Sequence, residues 1–182
     1  MRDLRSRKWW VVVVACLLLV AVACGGGEEP SQQPSGNGGG DQPQFEAGTT
    51  MAELQDEGKV VIGVKYDVPP FGFQNPESGE VEGFDVDLGK IIASELGVEA
   101  EFVEAISDNR IPFLEDGTVD LILSTMTITT DRDTEIDYSR PYFIAHGRIL
   151  APKGSDIKGI DDLNGKRVCT ALGSTYESTI KE

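Results

Sequence analysis

The feature that most limits what this chain can fold into is a change of hydrophobic period along residues 60–124. Val60-Val61-Ile62-Gly63-Val64 is an apolar run of strand length with no polar side chain to expose, which reads as a buried strand. Phe84, Leu88, Ile91, Ile92 and Leu96 then recur at helical spacing, with Gly97 as a stop and Asp85 and Asp87 near the start. Carboxylates there complement the helix dipole. Val98, Ala100 and Phe102 alternate with Glu99 and Glu101, as in a strand with one solvated edge or face. Residues 109–116 read as a short helix closed by Gly117, and residues 119–124 as a third strand. Strand, helix, strand, helix, strand in that order predicts an α/β fold. Its sheet is parallel, its crossovers are right-handed, and a ligand crevice lies outside the carboxyl ends of its strands.

Residues 50–57 read as a preceding helix, capped by Thr49 or Thr50 and stopped by Gly58. Between the first strand and the long helix, Asp67-Val68-Pro69-Pro70-Phe71-Gly72-Phe73 leaves as a loop, and Asn75-Pro76-Glu77-Ser78-Gly79 is turn chemistry. After a polar stretch, residues 142–151 read as an extended segment closed by Pro152. A strand over residues 166–170 and a helix from Ser174 then begin a new unit.

The amino terminus is of another kind. Arg2, Arg5, Arg7 and Lys8 precede an apolar run over residues 9–23 that ends at Cys24, the layout of a secretory signal peptide. The run is shorter than the roughly 20 residues a permanent span needs. Val20-Ala21-Val22-Ala23 running into Cys24 resembles a bacterial lipobox, so residues 1–24 are expected to be a lipoprotein signal peptide with Cys24 as the lipid-bearing residue. Cys16 lies inside the apolar run and is the poorer choice. Residues 25–44 are Gly, Ser, Gln, Pro, Asn and acid with no large apolar side chain, a disordered tether. The expected location is the extracellular face of the cytoplasmic membrane, or the periplasm, held by lipid.

The formal charge of −15 falls entirely on the rest of the chain, where 12 Lys and Arg stand against 27 Asp and Glu. That balance excludes nucleic acid as a partner. No phosphate-binding glycine loop, Cys/His metal spacing or nucleophile elbow is present, and the single histidine, His146, cannot build a metal site alone. No cofactor or metal is expected. Cys169 has no partner once Cys16 is cleaved away and Cys24 is acylated: either it is buried as a small apolar residue or it pairs with a residue beyond Glu182.

Five ordered blocks carry a family resemblance: Gly63-Val64-Lys65-Tyr66-Asp67 with Pro70-Phe71-Gly72-Phe73; Glu82-Gly83-Phe84-Asp85-Val86-Asp87-Leu88; Val119-Asp120-Leu121 leading to Thr125-Met126-Thr127-Ile128-Thr129; Asp137-Tyr138-Ser139 before Pro141-Tyr142-Phe143; and Asp162-Leu163-Asn164-Gly165-Lys166 before Gly173-Ser174-Thr175. From Lys59 to Glu182 the chain resembles bacterial extracellular solute-binding proteins of the polar amino-acid type, the capture subunits of ABC importers. The resemblance implies a type II periplasmic-binding-protein-like fold of two α/β lobes that close on a free amino acid and deliver it to a permease. Lobe one then spans 45–145, the hinge 146–152, and an incomplete lobe two 153–182. A few relatives of this family are dehydratases, which is the enzymatic alternative.

The same resemblance implies the site residues. Arg132 would grip the α-carboxylate through its planar fork, with the Thr127 hydroxyl and a Thr125 backbone group beside it. Ser107-Asp108-Asn109-Arg110-Ile111-Pro112 is similar to the glutamate and aspartate binders, which gives Arg110 the side-chain carboxylate, with Lys65 and Ser107 near the same pole. Two further cations in a desolvated cleft are unfavourable without an anion between them. The plain alternatives are ion pairs with neighbouring acids for Arg132, Arg110 and Lys65, and turn capping for the threonines. Ser174 and Thr175 open a helix and present either an anion site or only a capping box with Glu177. The acid expected to hold the α-ammonium falls beyond this sequence.

Overall fold

The computed structural model describes residues 43–181. The basic leader, Cys24 and the tether through residue 42 lie outside them. Helix α1 (Thr50–Glu57) starts where the Thr49 hydroxyl accepts the Ala52 N–H at 3.3 Å and ends at Gly58, as the sequence predicts. Strand β1 (Lys59–Val64) follows at once. A small antiparallel sheet comes next, built from β2 (Asp67–Val68), β3 (Gly72–Gln74) and β4 (Val81–Glu82). The long helix α2 (Phe84–Leu96) leads to β5 (Glu99–Glu104), the short helix α3 (Arg110–Glu115) and β6 (Leu121–Leu123). The main sheet has the order β5-β1-β6, all parallel, with Ile62 opposite Phe102 on one side and Leu121 on the other.

The fold is therefore α/β, with β1 in the centre, where its apolar residues from Val60 to Val64 are covered by a strand on each side. Ile62, Val64 and Val86 are 0% exposed, and burying a side chain of this size stabilises the fold by about 1.5–3 kcal/mol. On the outer strand β5, Glu99 and Glu101 face solvent, matching the alternation in the sequence, and Glu104 is exposed at the strand's end. The consequence for function is direct: the loops after β1, β5 and β6 all emerge at one end.

Three expectations need correction. The buried side of α2 is not centred on Phe84 and Ile91, which are 44% and 59% exposed, but on Asp85, Val86, Gly89 and Ala93. Gly89 and Ala93 let the helix axis approach the sheet; a Cβ on Gly89 would lie 2.9 Å from the Phe102 ring and 3.1 Å from the Ile62 side chain. Residues 166–170 form no strand, since nothing among the described residues pairs with them. Cys169 is exposed, which removes the reading of it as a buried apolar residue. A short helix α4 (Thr175–Lys181) closes the described chain.

Candidate functional site

All the site residues expected on lobe one follow the carboxyl end of a main-sheet strand: Lys65 after β1, Ser107 and Arg110 after β5, and Thr125, Thr127 and Arg132 after β6. That is where a parallel sheet offers a crevice. The cleft beside α3 encloses about 300 Å³ and is lined by Ser107, Ile111, Met126, Arg132, Glu135 and Gly173 among others, a volume at the lower end for small-molecule sites.

Lys65 is 5% exposed, and its Nζ donates to the Ser107 hydroxyl at 3.1 Å. Burial, then the neighbouring Arg110 charge, lowers its pKa from the ordinary lysine value, with Asp67 and Glu104 acting in the opposite sense. Arg110 is 2% exposed. Its Nε donates to the Ser107 carbonyl at 3.1 Å, Nη1 to the carbonyls of Ser124 and Thr125 at 3.1 and 3.4 Å, and Nη2 to that of Gly173 at 3.4 Å. Burial first, and the Arg132 charge second, bring its pKa down to about 10. Arg132 donates from Nη1 to the Thr127 carbonyl at 2.9 Å and from Nη2 to the Gly173 carbonyl at 2.7 Å. No carboxylate lies within ion-pair distance of any of these three cations among the described residues. Their partners are neutral oxygens.

The threonines contribute backbone groups here. Thr125 has φ +48°, the one positive value outside glycine among the described residues, and a β-branched residue enters that region only under constraint. Its N–H donates to Asp85 Oδ2 at 3.2 Å. Thr127 engages Arg132 through its carbonyl. Turn capping falls to Thr129, whose hydroxyl accepts the Arg132 N–H at 3.3 Å.

Near the far end, Ser174 donates its hydroxyl to the Ala171 carbonyl at 2.6 Å, and the Glu177 carboxylate accepts the Gly173 N–H at 2.8 Å. The chain's own acid thus covers the turn that the sequence offers as an anion site, and Thr175 only opens α4.

Sequence reasoning missed three groups: Asp85, Tyr142 and the Gly173 carbonyl. Asp85 is 0% exposed and also accepts the Tyr142 O–H, at 3.1 Å. Burial raises the Asp85 pKa, while the bonds from Thr125 and Tyr142 oppose the rise. Burial likewise raises the Tyr142 pKa, followed by the Asp85 charge. The signal for Asp85 was available in its spacing, since it falls on the helix face shared by Gly89 and Ala93. In the Pro70-Phe71-Gly72-Phe73 loop, Phe71 packs edge-on against Phe84 and Phe143 at 6.2 and 4.8 Å.

A profile of the bacterial extracellular solute-binding proteins, family 3, matches residues 60–180. The glutamine-binding protein GlnH of an ABC transporter from Bacillus subtilis (strain 168) is 47% identical over 137 residues, covering 73% of this chain and 50% of that protein. An ancestral arginine-binding protein, solved bound to arginine and bound to glutamine, superposes with a TM-score of 0.65 at 44% identity, over 68% of this chain and 55% of the other. The arginine-bound, truncated ArgBP from T. maritima gives 0.67 at 40% identity, over 71% and 61%. The chain spans about half the length of the curated relatives it matches.

Proposed function

The chain belongs to the bacterial extracellular solute-binding proteins of family 3, and from that premise we propose that it captures a free amino acid outside the cytoplasmic membrane and hands it to an ABC permease. The observation that carries this reading is the convergence of Lys65, Arg110 and Arg132 past the ends of β1, β5 and β6 with only neutral oxygen partners. Such a cluster is stabilised by an anion that enters it. Arg132 offers a fork to the α-carboxylate every amino acid carries, and capture needs no nucleophile or proton relay. The relatives and structures compared above are binding proteins, in keeping with a binding role rather than a dehydratase.

Within that reading the ligand is glutamate, with aspartate next. Lys65 and Ser107 supply the side-chain pole, and two cations in excess of Arg132 favour an added carboxylate. Glutamine is the second reading: four donor contacts of Arg110 already go to carbonyls, and GlnH is the name of the relative at 47% identity. The export signal of residues 1–24, lipid on Cys24, the tether over 25–44 and the lobe boundaries at 145 and 153 belong to the same proposal. Together they hold a diffusing trap near its permease.

Calorimetric titration of the full chain with L-glutamate, L-aspartate and L-glutamine tests the ligand. Tighter binding of glutamine than glutamate sinks the acidic reading.

A further inference from the structure

Asp85 is fully buried in the first turn of α2 and, among the described residues, meets no cation within ion-pair distance. A buried carboxyl is tolerated where hydrogen bonds replace water, and here the two oxygens divide that task. Oδ2 accepts the N–H of Thr125 at 3.2 Å and Oδ1 accepts the O–H of Tyr142 at 3.1 Å. The Thr125 peptide is held from its other side too, because Arg110 Nη1 reaches the carbonyls of Ser124 and Thr125. A left-handed, β-branched residue persists only where its surroundings over-determine it, and these are the surroundings. Tyr142 is also fixed independently of its hydroxyl, with its ring stacked on Phe84 at 6.2 Å and 26°. One carboxyl therefore joins the loop that carries the arginine contacts to the segment that leads toward residues 146–152.

We propose that Asp85 is a positioning residue of the ligand site: it fixes the left-handed Thr125 peptide, which sets the carbonyls that aim Arg110, and it ties that loop to the outgoing segment through Tyr142. Its functional sense rests on the amino-acid capture proposed above. Asp85 touches no ligand in this scheme and acts through Thr125.

Two readouts on the full chain test it. In the ligand-free chain, amide hydrogen exchange at residue 125 should run at least tenfold faster in Asp85→Asn and severalfold faster in Tyr142→Phe, with the Ile62 amide unchanged in both. Unchanged exchange at residue 125 in both variants overturns the proposal. In titrations with L-glutamate and L-glutamine as probes, Asp85→Asn should weaken binding at least tenfold in the Thr125 background but less than threefold in the Thr125→Gly background, because glycine adopts a positive φ without being held there. Equal losses in both backgrounds overturn it as well, since Asp85 would then act on the whole structure rather than on Thr125. If Asp85→Asn does not fold, Tyr142→Phe carries both comparisons with the same pattern expected. If the chain binds neither probe, the exchange comparison alone decides whether Asp85 holds Thr125.

Discussion

Gly83→Ala loads a single contact on which both the fold and the site depend. Gly83 has φ +134° and ψ 176°, a region open in practice to glycine alone and worth about 1–3 kcal/mol of strain for any other residue. A Cβ there would lie 2.3 Å from the Phe71 carbonyl oxygen and 2.9 Å from that of Pro70, and backbone atoms cannot turn aside as a side-chain tip can. Those two carbonyls accept the N–H groups of Asp85 and Phe84, both at 2.9 Å. Pushing them away weakens two hydrogen bonds at about 0.5–1.5 kcal/mol each. Strain and bonds sum to a destabilisation of about 2–6 kcal/mol. Gly79→Ala separates the two contributions, because Gly79 has φ +75° with nothing within 4 Å of its added Cβ and should lose only about 1–2 kcal/mol. Urea denaturation of the full chain measures both. If Gly83→Ala is no more destabilising than Gly79→Ala, the close approach at Phe71 does not govern the entry to α2 and this reasoning fails.

Arg132→Ala removes charged hydrogen bonds of about 1.5–3 kcal/mol and should weaken glutamate and glutamine alike, on the order of 10- to 100-fold in calorimetric affinity; a loss for one alone would reassign the α-carboxylate. Lys65→Met should weaken glutamate severalfold and leave glutamine within a factor of two or three, and parallel titrations reveal whether the charge selects the acid. The folded pKa of Asp85 lies above its ordinary value of 3.8, so the folded chain binds that proton more tightly than the unfolded one. Its contribution to stability is fully present below 3.8 and is lost as pH rises through the raised folded value. The carboxyls of Asp116, Asp162 and Glu177, held below their ordinary values, act in the opposite sense, so the difference in urea midpoint between the parent chain and Asp85→Asn, followed across the acid range, isolates the loss at Asp85; a difference that does not change with pH would refute it.

The parallel sheet was legible because its signals are local. An all-apolar Val60–Val64 can only be central, and Glu99 and Glu101 mark an outer strand. The cluster of Lys65, Ser107, Arg110 and Arg132 was legible at the level of which loops meet, since strand order puts those loops at one end. What the cations touch was not. Their partners are mostly carbonyl oxygens, which every residue possesses and no side chain announces. The full register of the buried face of α2 was not legible: Leu88, Ile92 and Leu96 do pack against the core, but Phe84 and Ile91 are exposed, and close packing against Phe102 and Ile62 selects Gly89 and Ala93. Asp85 was lost with it: an acid in a first helical turn looks like a dipole partner until its neighbours bury it. The strand expected over residues 166–170 failed for a different reason, because a strand exists only through pairing and its own side chains cannot supply a partner.

The Gly173 carbonyl, resting at once on Arg132 and Arg110, makes capture an exchange rather than an addition. On the proposed reading, an incoming carboxylate replaces a neutral acceptor with a charged one and gains only the difference between them, about 1–2 kcal/mol per bond. A stray inorganic anion has little else to offer and so little reason to displace the turn. A zwitterion that also reaches Lys65 and Ser107 gathers enough further contacts to do so. The turn sets a threshold, and the threshold favours a ligand long enough to span the cleft.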